Sequence, residues 1–448
     1  MRVFAGLLLV TFIAGCETVT PPPGPSSTPA SRPTVSSEPS GAPSPAATIA
    51  STTSPTPLPS PRPTPIPGTW NHPVVAIKDA GRPVFFAVDA AGHAHVAYGR
   101  GDKTAYATDA SGTWVEDQRQ FPGAENISPV GTDLPQFAID EGGALHAAYT
   151  SGRMPSRDLY YATNAGGSWA ERRLTRNAAL DFFPAIAVDP TGHVHVLAGR
   201  TTLSRGTFEG RTSYSWSAAD AVYHLTTASG RWAVSRVPMP RGHLFRSPSM
   251  ATDARGRLHV VLVWSPLLAS PRRWDLIYLT NASGTWKTTV INKGRVNAAG
   301  YSDLYEPSNV IVDSDGRVHV AFTKNLQCSS SNRMVIYATN ASGRWVKNTV
   351  VVKKPASQCD SVFSNPTLAV DATGTGHITY EQSGSEGVRE FHATNESGSW
   401  TAEKLGPDGL WYSARMAADG TGRLRLVFRQ GGRGCPPPSE CLWYRTRN

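Results

Sequence analysis

One unit recurs seven times between residues 68 and 448, and this repetition limits the possible folds more than any other feature of the chain. Each copy has an apolar run that ends in an aspartate, and the seven are Asp89, Asp140, Asp189, Asp253, Asp313, Asp371 and Asp419. Six residues later the seventh copy has Arg425, and the other six have His95, His146, His195, His259, His319 and His377. The second half of a copy closes on a tryptophan, in the series Trp114, Trp169, Trp232, Trp286, Trp345 and Trp400. A repeat of about 54 residues predicts an array of similar supersecondary units.

Each half of a unit has the pattern of a β-hairpin. Two short runs of β-branched and aromatic residues flank a tight polar turn, with the sequence Asp-x-x-Gly in the first half and forms of Asn-Ala-Ser-Gly in the second. Both sequences favour tight turns, because glycine accepts a positive φ and Asx side chains bond the nearby backbone. Two hairpins make a four-stranded blade, and we therefore predict an all-β, seven-bladed β-propeller for residues 68–448.

The two ends of the repeat region complement each other. The last unit stops at residues 442–447 without a tryptophan-bearing strand, whereas Trp70 and residues 73–77 precede the first unit without a partner. We predict that this N-terminal segment supplies the fourth strand of the seventh blade and closes the ring. Closure removes the open sheet edges that otherwise pair with other chains.

The turn from Asn281 to Trp286, Asn-Ala-Ser-Gly-Thr-Trp, resembles the Asp-box, or BNR, repeat of sialidase-like propellers. That box has an acid, a glycine two residues on and a tryptophan five residues on, whereas Gly284 lies three residues on. The resemblance extends over residues 68–448 and implies a propeller, but it does not imply one particular activity. Sialidases hold the substrate carboxylate with three arginines and have an Arg-Ile-Pro segment near the first strand. The nearest sequence in this chain is Gly81-Arg82-Pro83.

The first sixteen residues have the features of an export signal. Met1-Arg2 is followed by an apolar run that ends in Ile13-Ala14-Gly15-Cys16. The run is shorter than the roughly 20 residues that a transmembrane helix needs. Its end resembles the lipobox of bacterial lipoproteins, which implies cleavage before Cys16 and lipidation of its thiol; the alternative is an ordinary secretory signal with an incidental cysteine. We expect a protein tethered to the lipid bilayer through Cys16, on the extracytoplasmic face of a bacterial cell envelope.

The segment that follows is rich in Pro, Ser and Thr, a composition that cannot bury a core and favours extended polyproline II. The predicted organisation is therefore a signal peptide in residues 1–15, a lipidated cysteine with a disordered stalk in residues 16–67, and the propeller in residues 68–448.

Charge and spacing exclude several classes of partner. The chain has 43 Lys and Arg against 34 Asp and Glu, a net charge of +9, spread without basic blocks. We expect no nucleic-acid binding from such a mild and scattered excess. The repeated Asp and His residues occupy equivalent positions in different blades and cannot converge on one metal ion, so we expect them to join the turns of their own units. We predict a monomer with no cofactor and no metal.

Both kinds of short turn lie on one face of the ring by strand alternation, so the long loops lie on the opposite face, called here the variable-loop face. Loops on a rigid scaffold commonly build binding sites. We expect a glycan or a protein partner to bind there, because guanidinium groups hold acid groups and aromatic rings stack on sugars. The candidate ligand-binding residues, at the starts of first strands or the ends of second strands, are Phe182, Arg200, Arg246, Tyr412, Arg415 and Arg429.

The alternative is a carbohydrate-active enzyme, a sialidase-like glycoside hydrolase or a polysaccharide lyase, that uses the same face. Glu306 or Tyr305 would then be the nucleophile, and Asp133 or Asp181 the acid. Glycoside hydrolysis requires paired carboxyl groups at a suitable separation. A carboxylate, tyrosine or histidine at the channel mouth with a strongly shifted pKa and an arginine neighbour favours the enzyme, and its absence favours binding alone.

Four cysteines remain besides Cys16, and an even number in an exported domain indicates disulfides. Of the three possible connectivities we favour Cys328–Cys359 with Cys435–Cys441, because each pair joins loops that are near in sequence and in blade. A metal site is the alternative, although the chain has no C-x-x-C motif and no histidine beside these cysteines.

Overall fold

The computed structural model describes residues 68–447 except 123–126, 129–130, 133, 153–155, 209–210, 240–242, 267–272, 296–302, 327–331, 355–362, 385–386, 406–410, 431–434 and 436–439. The signal peptide, Cys16 and the stalk lie outside the described residues, so the predictions for residues 1–67 stay predictions. Within the described ranges, the chain contains no helix long and apolar enough to cross a membrane.

Seven four-stranded antiparallel sheets follow one another along the chain, as the repeat predicts. Blade 1 comprises Pro83–Val88, Ala94–Arg100, Lys103–Thr108 and Val115–Glu116, and Phe121–Pro122 also pairs with its third strand. Blade 2 comprises Gln136–Ile139, Leu145–Ser151, Asp158–Thr163 and Ala170–Arg173. Blade 3 comprises Leu180–Val188, Val194–Phe208, Arg211–Thr226 and Ala233–Val237. Blade 4 comprises His243–Thr252, Leu258–Pro266, Asp275–Thr280 and Lys287–Asn292.

The remaining blades have the same order of strands. Blade 5 has Asp303–Pro307 and Ile311–Val312 in the place of one first strand, followed by Val318–Leu326, Arg333–Thr339 and Val346–Lys353. Blade 6 comprises Phe363–Val370, Gly376–Gly384, Gly387–Thr394 and Thr401–Lys404. Blade 7 comprises Trp411–Ala418, Leu424–Gln430 and Cys441–Arg447, with Val74–Lys78 as its fourth strand. A small hairpin of Ile127–Ser128 and Gly131–Thr132 lies between blades 1 and 2 in the sequence.

The ring is closed by the N-terminal strand, which confirms the prediction from the sequence. Val74 pairs with Tyr444 and Lys78 with Cys441 in an antiparallel register. The Arg447 Nε group donates to the Gly68 carbonyl at 2.9 Å, which ties the start of the described chain to its end. The fourth strand of blade 7 therefore pairs with a strand that lies at the other end of the propeller sequence.

A hydrogen-bonded network recurs on the face that carries the short turns, called here the turn face. In blade 1, His95 Nε2 lies 3.3 Å from Asp89 Oδ2, and His95 Nδ1 lies 2.6 Å from the hydroxyl of Tyr106. Blades 2, 4 and 5 repeat the Asp–His–Tyr arrangement, and blade 7 joins Asp419, Arg425 and Tyr444 in the same way. The repeated acids and histidines therefore bond within their own blades.

Blades 3 and 6 differ, because a second histidine replaces the tyrosine. His195 and His224 stack with ring centroids 5.3 Å apart, and His377 and His392 stack at 5.4 Å. Burial lowers the pKa of His224 and of His392 to about 4, and the neighbouring histidine lowers it in the same direction. Both rings are therefore neutral at physiological pH.

The closing tryptophans pack against the ring of the preceding blade. Trp232 lies 5.1 Å from Tyr161, and Trp286 lies 5.8 Å from His224, both edge to face. Trp70 belongs to the closing segment and packs on His392 of blade 6 at 5.4 Å. The tryptophan series thus forms part of the contact between neighbouring blades, as an aromatic core contact should.

Candidate functional site

A cavity of about 650 Å³ occupies the centre of the ring. The first strands of all seven blades line it, mostly with small and apolar residues. Among the described residues that line the cavity, Arg415 is the one charged side chain. A channel with apolar walls and one charged group is the usual composition of a small-molecule site.

The first strands of blades 3, 4, 6 and 7 kink near the variable-loop face. The pairing of each with its second strand shifts register, and a non-glycine residue there has a positive φ. Asn365 has a φ of 47° and Ser413 a φ of 58°, in a region that side chains rarely adopt without a compensating contact. In blades 6 and 7 the contact is with Glu381.

Glu381, at the end of the second strand of blade 6, accepts four hydrogen bonds. The amide and the hydroxyl of Ser413 donate to Oε1 at 2.7 and 3.1 Å. The Ser364 hydroxyl and the Asn365 amide nitrogen donate to Oε2 at 2.8 and 2.7 Å. An ionised carboxylate is acceptor-only and suits this set of donors. Glu381 therefore links blades 6 and 7.

Glu390 faces Glu381 directly across the antiparallel pair of strands and has a different environment. Its side chain is almost fully buried, at 1% exposure; no side chain of the described residues donates a hydrogen bond to either carboxyl oxygen, and the backbone amide of Ala414 approaches the group. Burial and then the charge of Glu381 raise its pKa well above the usual range, against a smaller opposing effect of Arg415. The neutral acid is thus present at pH values where an ordinary glutamate is ionised.

Two arginines meet near the same place from adjacent blades. Arg415 is partly buried in the first strand of blade 7, and its Nη1 donates to the Ala414 carbonyl at 2.9 Å. Arg82 is exposed just before the first strand of blade 1, and its Nε donates to the Ser413 hydroxyl at 2.7 Å. Burial lowers the pKa of Arg415, and the positive charge of Arg82 lowers it further. We call these two arginines, with Glu381 and Glu390, the arginine–glutamate cluster.

The sequence shows why these residues are distinctive, since each one breaks the repeat. Arg415 precedes its turn aspartate by four residues, where the other blades have Phe85, Gln136, Ala185, Ser249, Asn309 and Thr367. Glu390 precedes the last threonine of its third strand by four residues, where the other blades have Thr104, Leu159, Val222, Leu276, Val335 and Leu442. The sequence reasoning selected Arg415 but missed Glu390, and aligning the third strands would have found it.

Asp181 and Arg200, two other predicted site residues, form a closed ion pair between the first and second strands of blade 3. Asp181 is 2% exposed and accepts from Arg200 Nε at 2.7 Å, from the Thr175 hydroxyl at 2.5 Å and from the Asn177 side chain at 3.3 Å. The Arg200 guanidinium also lies 4.5 Å from the Tyr223 ring centroid. Burial opposes ionisation of Arg200, but the hydrogen bond and charge of Asp181 raise its pKa overall. Both charges are satisfied within the protein.

The other predicted residues have separate environments. Phe182 is fully buried and packs on Phe245 at a centroid distance of 5.2 Å, so its ring belongs to the core. Arg246 stacks on Trp274 at 4.5 Å, and Arg429 forms an ion pair with Glu440. The side chains of Tyr305, Glu306 and Tyr412 are outside the described part of the chain, as is the whole of Asp133.

One of the two predicted disulfides is confirmed. Cys435 and Cys441 form a disulfide with their Cα atoms 5.8 Å apart. Cys328 and Cys359 lie outside the described residues, so their pairing stays a prediction. The disulfide ties the start of the third strand of blade 7 to the preceding loop.

No protein-family model matches this sequence, and no curated protein matches it. Among solved structures, a polysaccharide lyase, an ulvan lyase bound to a GlcA(1-4)Rha3S saccharide, is 10% identical and superposes with a TM-score of 0.53, covering 80% of this chain and 93% of its own. The intramolecular trans-sialidase of Ruminococcus gnavus is 10% identical with a TM-score of 0.40, over 70% of this chain and 94% of its own. A protein of unknown function from Dyadobacter fermentans is 12% identical with a TM-score of 0.43, over 70% of this chain and 94% of its own. The likeness to the ulvan lyase concerns the fold alone.

Proposed function

We propose that the propeller binds an acidic saccharide at the mouth of its central cavity, with Arg82 and Arg415 holding a carboxylate or sulfate group. The observation that carries the proposal is the approach of two guanidinium groups from neighbouring blades beside that cavity. Beyond the bonds to Ser413 and Ala414, the side-chain N–H groups of both arginines donate to no acceptor in the described part of the chain. Guanidinium groups with free donors are suited to the oxygen pairs of carboxylates and sulfates.

The electrostatics support an anion at this position. The two positive charges repel each other, which is why the charge of Arg82 contributes to lowering the pKa of Arg415. An anion between them removes that repulsion, and the partly buried setting of Arg415 strengthens the attraction relative to water. The apolar first strands provide a wall for the less polar face of a sugar ring.

The choice of a saccharide among anions is supported by one structural likeness. The ulvan lyase that shares this fold is bound to a saccharide that contains GlcA. At 10% identity that comparison concerns the fold alone. The chemical class of the ligand therefore depends on the two arginines of this chain.

The experiment measures binding of a galacturonic acid trisaccharide to the whole chain by isothermal titration calorimetry. The methyl ester of the same trisaccharide is the matched uncharged ligand. We expect the acid to bind and the ester to bind at least tenfold more weakly, because one ionic contact in a partly buried site contributes about 1.5 kcal/mol or more. Arg415→Ala and Arg82→Ala should each weaken binding of the acid at least tenfold.

The control is Arg231→Ala, which removes the same charge from an exposed turn on the opposite face. It should leave the affinity unchanged. Equal binding of acid and ester, or equal losses in all three variants, would show that the arginine pair does not recognise the ligand. No binding by the wild type would refute the proposal and direct the search to protein partners.

A second candidate function is catalysis, favoured by the pairing of a neutral acid, Glu390, with an acceptor carboxylate, Glu381. Two carboxyl groups in opposite protonation states are typical of glycoside hydrolysis, in which the acid protonates the leaving oxygen. The same trisaccharide, incubated with the chain and assayed for new reducing and unsaturated ends, tests this. New ends that disappear in Glu390→Gln would establish an enzyme, whereas binding without new ends would establish a binding module.

We also propose that the propeller is tethered through Cys16 outside the cytoplasm, from the lipobox-like sequence that precedes the stalk. Metabolic labelling with a fatty acid in a bacterial host should label the wild type. Cys16→Ser should be unlabelled and should leave the membrane fraction. Labelling of the serine variant would refute the anchor.

A further inference from the structure

Glu390 occupies a place where every other blade has an apolar residue or threonine. It is buried between the second strand of blade 6 and the first strand of blade 7, and its two oxygens have no side-chain hydrogen-bond donor among the described residues. A purely structural role at this position is filled by Leu or Val in five blades, at Leu159, Val222, Leu276, Val335 and Leu442. A buried carboxyl group without donors is less favourable than either. The position therefore calls for a reason other than packing.

Four charged or titratable side chains of the described residues face Glu390. Glu381 and Tyr380 lie on the second strand of blade 6, Arg415 lies on the first strand of blade 7, and Arg82 lies before the first strand of blade 1. The backbone amide of Ala414 also approaches its carboxyl group. On the fourth strand of blade 6 the nearest charged residue is Lys404, which is exposed.

The protonation of Glu390 sets the charge of the whole cluster. With Glu390 neutral, the positive charges of Arg82 and Arg415 exceed the single negative charge of Glu381, which leaves a net positive site. With Glu390 ionised, two carboxylates balance two guanidinium groups, and the site has no net charge. Because both glutamates are buried, water screens the charge of Glu390 less than it would at the surface.

We propose that Glu390 makes the anion site proton-dependent: the anion binds while Glu390 is protonated and is released when Glu390 ionises. This rests on the proposed binding of an acidic saccharide by Arg82 and Arg415. Glu381 is held by donors from two blades, and no side chain of the described residues donates a hydrogen bond to either oxygen of Glu390.

Thermodynamic linkage supplies a second signature. If protonation of Glu390 favours the anion, then the anion must favour protonation of Glu390 by the same factor. Binding near the apparent pKa of Glu390 should therefore take up protons from the buffer. A residue that only supports the fold would not produce this uptake.

The test measures the affinity of the whole chain for the galacturonic acid trisaccharide from pH 5.5 to pH 9, a range in which the ligand carboxylates stay ionised. Titrations in two buffers with different ionisation enthalpies give the proton uptake at each pH. We expect the wild type to lose about tenfold in affinity across the ionisation of Glu390, which corresponds to a shift of one pKa unit on binding. Glu390→Gln should keep the high affinity throughout and should take up no protons.

Glu141→Gln is the matched control, because it makes the same chemical change in an exposed turn of blade 2. It should keep the pH dependence of the wild type. Thermal unfolding of each variant across the pH range verifies that the comparison is between folded proteins.

Two results would overturn the proton dependence while the binding proposal stands. One is a wild type that binds the acid with the same affinity across the range. The other is a Glu390→Gln variant that keeps the wild-type pH dependence and proton uptake. Failure of the binding proposal looks different, because no affinity for the acid would then appear at any pH, or Arg415→Ala would bind as the wild type does.

Discussion

The two faces of the propeller treat buried charge in different ways. On the turn face each acid bonds within its own blade, as Asp253 does with the amides of Arg255 and Arg257 and with His259. On the variable-loop face Glu381 accepts hydrogen bonds from two blades, and Glu390 has no side-chain donor among the described residues. The repeated turn acids therefore have hydrogen-bond donors in their own blades. Glu390, at a position that breaks the repeat, lacks a side-chain donor, and its protonation state can change.

The ion pair of Asp181 and Arg200 shows that position on the variable-loop face does not by itself leave a group unsatisfied. Asp181 is as deeply buried as Glu390, yet four donor atoms contact it. The difference lies in the donors and not in the burial. A buried acid with its own arginine is part of the scaffold, and a buried acid that shares arginines with the cavity is a candidate for function.

The largest effect on folding should come from removing the strand that closes the ring. Val74–Lys78 pairs with Cys441–Arg447 in blade 7, and this pairing is called here the seam. Deletion of residues 68–78 removes the fourth strand of that blade and takes Trp70 away from His392. We expect the variant to be insoluble, because the edge of the Cys441–Arg447 strand and a buried histidine become exposed. The soluble fraction after expression measures this, with Val74→Lys as a control at an exposed position in the same strand. A soluble, cooperatively folding deletion variant would contradict the role of the seam.

Substitution of a single turn aspartate should have the next largest effect on stability. Asp253→Ala removes the acceptor for two backbone amides and for the Arg257 and His259 side chains. We expect the free energy of unfolding to fall by about 3 kcal/mol, since several buried donors lose a charged acceptor. Urea denaturation measures the loss. Asp315→Ala, at an exposed position of the blade 5 turn, should change stability by less than about 1 kcal/mol, and equal losses would remove the distinction.

The histidine pairs should make the turn face sensitive to acid. The pKa of His224 is lowered to about 4 in the folded state, so the unfolded chain binds more protons between that value and the ordinary value of about 6.5. Stability should therefore fall as the pH drops through this window, by on the order of 2–3 kcal/mol for this residue.

His224→Tyr gives that blade the tyrosine found at the same place in blades 1, 2, 4 and 5. It should reduce the loss of stability between pH 7.5 and pH 4.5, as measured by urea denaturation at both values. His243→Tyr, a change of the same kind away from the network, serves as the control. An unchanged acid sensitivity in His224→Tyr would assign the effect to the turn acids instead.

The smallest expected change in stability comes from substituting Glu381 and Glu390, which face each other, and it differs between the two. Glu381→Gln places an amide group against four donors, and we expect a loss of about 1–3 kcal/mol at neutral pH. Glu390→Gln should change stability by less than about 1 kcal/mol at the same pH, because the neutral acid and the amide are nearly isosteric.

The dependence of stability on pH distinguishes the two variants. Because the pKa of Glu390 is raised in the folded protein, its contribution to stability is fully present below the ordinary glutamate value and is lost as the pH rises through the raised value. Glu390→Gln should flatten the fall in stability on the alkaline side, whereas Glu381→Gln should not. Parallel profiles for wild type and Glu390→Gln would show that Glu390 is ionised in both states.

The sequence was sufficient for the fold because the repeat presents the same information seven times. The spacing of Asp89 and His95 fixed the first hairpin, and the unpaired segment around Trp70 identified the strand that closes the ring. The candidate site was accessible only in part. Arg415 could be placed at the cavity from its position before Asp419, but nothing local indicates that it meets residues of blade 6.

Two kinds of information were missing from the sequence. Whether an arginine is paired depends on which side chains the fold brings beside it, which is why Arg200 and Arg415 looked alike until their partners were known. Whether an aromatic ring is exposed depends on how the first strand kinks, and the kink at Phe183 goes with a fully buried Phe182. Both are long-range properties that repeat spacing does not encode.

The seam between Val74–Lys78 and Cys441–Arg447 also constrains the order of folding. Strands within blades 1 to 6 pair with neighbours in the sequence and can form as the chain is made. The last sheet is different, because its outer strand is synthesised first and its partner last. Until residues 441–447 emerge, the early strand has no partner and the His392 ring has no Trp70 above it. The propeller therefore remains an open arc through most of its synthesis, and its final folding step joins the beginning of the domain to its end.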